Sequence, residues 1–93
     1  MNDEEALALL RQRLQTFRER SYADLVTLLG KPQVAEVVGL SGARYQLEVE
    51  VHWDSRPGGT VRVLGAIDNR DVRALMPLAE DFLMAPNGAF LGE

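Results

Sequence analysis

The chain has no cysteine. Disulfide frameworks, thiol nucleophiles and thiolate metal sites are thereby excluded. It has one histidine, His52, so acid–base chemistry near neutral pH has a single obvious seat. Long apolar runs are missing, and every run falls far short of the ~20 residues that span a bilayer. The acidic start lacks the apolar segment of a secretory signal, which predicts a cytoplasmic protein with no membrane partner. A basic footprint is missing too. The net charge is −4, which argues against a nucleic-acid partner.

What is present supports one small core. With 46% apolar residues, residues 1–93 are expected to form a single domain. At this size caps and turns weigh heavily, because little surface is buried per residue. The charge is unevenly spread. Residues 1–20 carry four acids and four arginines and so balance, and the remainder of the chain holds the whole excess of acid.

Asn2 followed by Glu5 reads as a helix N-cap with an acid three residues on. Leu7, Leu10, Leu14 and Phe17 then form one apolar stripe on a helix running to about Arg20. Ser21 with Asp24 predicts a second cap and a short helix, stopped at Gly30 and Pro32. Beyond this point the period changes to two. Leu47, Val49, Val51 and Trp53 alternate with Glu48, Glu50, His52 and Asp54, and Val61, Val63 and Ile67 alternate likewise around Gly65. Arg56-Pro57-Gly58-Gly59 supplies the turn between the two strands.

Setting Trp53 opposite Val61 keeps every pair on a matching face. The register then places Val49 by Gly65, where a helix could approach closely, and His52 by Arg62. Val34 to Leu40 reads as an earlier strand with two possible registers. A two-residue turn pairs Val38 with Tyr45 and points Glu36 inward, whereas a three-residue turn points Ala35 and Val37 inward and sets Glu36 against Glu48. Residues 72–78 read as strand rather than helix. A closing hairpin turns at Pro86-Asn87-Gly88 and folds Phe82 and Phe90 back onto the sheet. The expected fold is α+β: an N-terminal helix or helix pair on one face of a four-stranded antiparallel meander, with a C-terminal β-hairpin.

No set of residues makes a convincing catalytic site. Glu48, Glu50, His52 and Asp54 share one strand face, and such a face could ligate a metal, but the fixed charge of Arg62 beside His52 opposes a second cation. The serines lie at caps and turns, outside any nucleophile elbow. The glycines lack the spacing of a phosphate loop. No catalytic residue, metal ligand or cofactor is assigned, and the chain is not expected to be an enzyme.

Trp53-Asp54, Gly65-x-Ile67-Asp68, Arg73-Ala74, Pro77-Leu78, Asp81-Phe82 and Ala85-Pro86-x-Gly88-x-Phe90-x-Gly92-Glu93 together resemble a family of short bacterial proteins of unknown function. The resemblance spans roughly residues 45–93. It implies a bacterial source and carries no chemistry.

These readings point to a non-catalytic protein-interaction module or one that self-associates as a homodimer. The candidate surface comprises Trp53, His52, Arg62, Leu64, Asp81, Phe82 and Phe90, taken either as the polar sheet face around Leu64 or as the edge near Trp53 and the final hairpin. The alternative is a small-ligand domain with a pocket between Tyr22, Tyr45, Trp53 and Phe82.

Overall fold

A computed structural model of the chain describes residues 2–70 and 77–93. Helix α1 (Asp3–Arg18) starts where the Asn2 side chain accepts a hydrogen bond from the Glu5 N–H at 3.1 Å. Three acids in its first turn suit the positive end of the helix dipole. The short α2 (Tyr22–Val26) is capped by Ser21 in the same way, the Asp24 N–H donating to Ser21 Oγ at 3.1 Å. Five strands follow: β1 (Gln33–Val38), β2 (Arg44–Trp53), β3 (Val61–Asn69), β4 (Leu78–Met84) and β5 (Phe90–Leu91). They form one antiparallel sheet in chain order.

The expected α+β architecture is therefore present, with five strands rather than four. The strand expected over 72–78 falls largely outside the described residues. The fourth strand that the structure shows is the first arm of the closing hairpin, extended back to Leu78 and paired along β3.

The β2–β3 register is the expected one, with Trp53 opposite Val61, Val49 opposite Gly65 and His52 opposite Arg62. The β1–β2 register matches neither alternative. Its loop is Leu40-Ser41-Gly42, closed by the Gly39 N–H donating to the Ala43 carbonyl at 2.9 Å. That loop lies one residue earlier than the three-residue option assumed, so Glu36 faces Gln46 instead of Glu48, while Ala35 and Val37 do turn inward. The last hairpin uses the same device: Ala85 and Ala89 close a loop of Pro86-Asn87-Gly88. Gly42 and Gly88 each take φ +88°, the left-handed position that ends such three-residue loops.

Both helices lie on one face of the sheet. Ala6, Leu10, Leu14 and Phe17 of α1 and Leu25 of α2 pack on Tyr45, Leu47, Val49, Val51, Val61, Val63, Ile67, Phe82 and Met84. The opposite face carries no second layer among the described residues.

Candidate functional site

The alternation of β2, β3 and β4 decides what the uncovered face presents. On β2 it presents Glu48, Glu50 and His52, on β3 Arg62, Leu64 and Ala66, and on β4 Ala79, Asp81 and Leu83. Arg62 lies at its centre. Its Nη2 donates to Asp54 Oδ1 at 2.9 Å, and its Nη1 donates to Asp81. The hydrogen bond to Asp54, then the negative charges of Asp81 and Asp54, hold the guanidinium above its ordinary value against the opposing effect of desolvation. It is a fixed cation between two carboxylates. Glu50 lies diagonal to Arg62 but pairs with its own strand neighbour instead, Glu50 Oε2 lying 2.9 Å from His52 Nε2.

Apolar side chains flank this ionic cluster. Leu83 stands opposite Arg62 on one side and Leu91 on the other, and Leu64 stands opposite Asp81. Leu64 and Leu83 are half-buried and Leu91 is exposed. Ala66 and Ala79, opposite each other, continue the apolar strip. The result is a shallow patch of leucine and alanine beside an Arg–Asp network.

The seven candidate residues do not make one surface. His52, Arg62, Leu64 and Asp81 share the uncovered face. Trp53, Phe82 and Phe90 project to the helix side. Trp53 is half-buried against the core, and Phe82 belongs to it. The Phe82 and Phe90 rings meet edge to face at 5.7 Å, with the Arg18 guanidinium 4.7 Å from one centroid and 5.1 Å from the other. Arg18 also pairs with Glu93, so this corner ties the closing hairpin to the end of α1. The pocket expected between Tyr22, Tyr45, Trp53 and Phe82 is not formed as such. Tyr45 and Phe82 are core residues, and the Tyr22 hydroxyl donates to the Gly59 carbonyl at 2.6 Å, tying α2 to the β2–β3 turn.

Sequence reasoning missed a dense polar node. Glu5, read as part of a cap, sends its carboxylate to the first hairpin. The Ser41 N–H donates to Oε1 at 2.9 Å, and Oε2 accepts from Ser41 Oγ at 2.6 Å and from the Tyr45 hydroxyl at 2.8 Å. The Ser41 hydroxyl, then its N–H, then the Tyr45 hydroxyl hold the Glu5 carboxyl below the ordinary glutamate range. Nothing local marks this contact, because its partners lie 36 and 40 residues away. Likewise Glu80 faces the helix and receives Arg11 through two guanidinium nitrogens at 2.8–3.1 Å.

Beside this node an open groove of ≈ 670 Å³ runs between α1 and the β1 hairpin. Ala8, Leu9 and Gln12 form one wall, and Val38, Gly39 and Leu40 form the other.

No protein-family model matches the chain, and searches of curated proteins and of solved structures find no match either. No helix among the described residues is long and apolar enough to cross a membrane.

Proposed function

We propose that this chain is a non-catalytic protein-interaction module that works through the parts of its sheet left uncovered by its helices. The observation that carries this reading is the outer face, where Leu64, Leu83 and Leu91 adjoin the Arg62–Asp54–Asp81 cluster. Apolar area supplies affinity, and a fixed pattern of charges selects the partner and sets its register. Arg62 is engaged with Asp54 and Asp81, and His52 with Glu50, which suits recognition better than proton transfer. The bacterial cytoplasm is the setting this reading assigns, and kinship with the short bacterial family rests on the C-terminal pattern alone.

The test compares proteins captured by the wild-type chain and by a Leu64→Lys variant shown to be folded by circular dichroism. A partner held by the wild type and lost by the variant supports the reading. Identical capture by both overturns the assignment of this face.

The groove between α1 and β1 favours a second reading, a small apolar ligand bound beside Leu9 and Leu40. A thermal-shift screen in which Leu9→Gln abolishes a wild-type response would support it.

A further inference from the structure

The sheet has two edges, and they are treated differently. β5 is two residues long and offers little backbone to a neighbour. β1 is six residues long and pairs without interruption along β2. It holds neither lysine nor proline, and no bulge turns it away; its one charged residue, Glu36, is already paired with Arg70 of the same chain. No described residue pairs with its free side.

The hydrogen-bonding pattern fixes which groups that side presents. Gly39 and Ala43 are a hydrogen-bonded pair. Such pairs alternate with non-bonded ones along an antiparallel ladder. Val37, Ala35 and Gln33 therefore turn their N–H and C=O groups to β2, and Val34, Glu36 and Val38 turn theirs outward. The exposed apolar side chains gather at the same edge. Val34 is 55% exposed, Val38 67%, and Leu40 fully, three of the five large hydrophobics exposed among the described residues.

We propose that this edge pairs with the β1 edge of a second copy of the chain, making one continuous antiparallel sheet across a two-fold axis. The inference rests on the reading of the chain as an interaction module and names the partner. A two-fold axis at Glu36 sets Val34 of each copy opposite Val38 of the other. All three residues with outward backbone groups then exchange hydrogen bonds, and the exposed valines cover each other. Leu40 comes alongside Pro32 of the second copy.

Charge fits the same arrangement. Glu36 is the only charged residue of β1, and Arg70 of the same chain pairs with it. The two carboxylates that meet at the axis are thus each accompanied by a guanidinium, and the dimer centre is balanced. An axis perpendicular to the sheet leaves both α1 helices on one side, so the two grooves beside them become neighbours.

The test uses a property of the ladder. Because the Glu36 N–H points outward, Glu36→Pro removes a donor from the dimer and none from the β1–β2 pairing. Sedimentation equilibrium of the full chain should show reversible dimerisation of the 10.3 kDa protomer. Glu36→Pro and Val34→Lys/Val38→Lys should each weaken it about tenfold or more, with circular dichroism unchanged. Leu64→Lys should leave it intact. A wild-type chain that stays monomeric at high micromolar concentration overturns the inference, while capture of another protein through the outer face would still stand. A dimer that survives Glu36→Pro and the double lysine variant also overturns it, and loss of the dimer in Leu64→Lys alone assigns self-association to the outer face. If Glu36→Pro unfolds, the double lysine variant decides.

Discussion

Leu14 rests directly on the backbone of Gly65. A Cβ added to Gly65 would lie 2.9 Å from Leu14 Cδ2 and 2.9 Å from Leu10 Cδ1, inside any normal contact distance. Glycine in a strand costs conformational entropy and packs no side chain, so its presence in the middle of β3 needs a reason. The reason is the close crossing of α1 over the centre of the sheet. Gly65→Ala should destabilise the fold by about 1–3 kcal/mol through overpacking, and Gly65→Val by more. Urea unfolding of Gly65→Ala, Leu14→Ala and the double variant checks the cause. The double variant should lose clearly less than the two single losses together, because the smaller residue at 14 makes room for the new methyl. Strict additivity would show that the two sites do not share this contact.

That crossing was legible in the sequence, and the reason is instructive. Four alternating positions on β2 and three on β3, joined by a Pro-Gly-Gly turn, allow one parity only, and that parity leaves a gap at Gly65. The caps at Asn2 and Ser21 were legible because capping is local. β1 was not, since Ala35 and Val37 carry too weak an apolar signal to choose between loops that differ by one residue. The Glu5–Ser41–Tyr45 node was invisible for a different reason. It joins residues that only the folded sheet brings together, and Glu5 already had a credible local role. The candidate surface divided for the same kind of reason. Residues close in sequence, such as Asp81 and Phe82 or His52 and Trp53, lie on opposite faces of the sheet.

The Arg18 corner predicts a local rather than global weakness. Its guanidinium lies over two aromatic rings and pairs with Glu93. A half-exposed cation–π contact contributes about 0.5–1 kcal/mol. β5 has only two ladder pairs of its own, so it depends on such side-chain contacts. Arg18→Ala should lower stability by about 1 kcal/mol and, more tellingly, speed amide exchange at Leu91, whose N–H faces β4, while β2 and β3 keep their protection. Arg18→Lys should restore only part of it, because an ammonium does not stack flat on a ring. Unchanged exchange at Leu91 in Arg18→Ala would show that the backbone turn alone holds the hairpin.

The Glu5–Tyr45 pair makes stability fall at both ends of the pH scale. Glu5 titrates below the ordinary glutamate range in the folded chain, because Ser41 and Tyr45 donate to its charged form. A depressed carboxyl contributes stability that is present above its unfolded value of about 4.3 and disappears as pH falls through the lower folded value. Tyr45 titrates above its ordinary value, first because it is desolvated and then because its hydroxyl donates to Glu5, whose charge adds to the effect. A raised phenol contributes stability that is present below about 10 and disappears as pH climbs through the folded value. Between these limits both contributions are constant. The stability gap between wild type and Glu5→Gln should therefore be flat from about pH 6 to 9 and shrink as pH falls below about 5. The gap for Tyr45→Phe should be flat over the same range and shrink on the alkaline side. Chemical denaturation at a series of pH values measures both. A Glu5→Gln gap that stays constant into strong acid would mean that the carboxylate does not hold the first hairpin in solution. The hairpin it grips carries β1, so the same variant asks whether the helix N-terminus fixes the free edge in place.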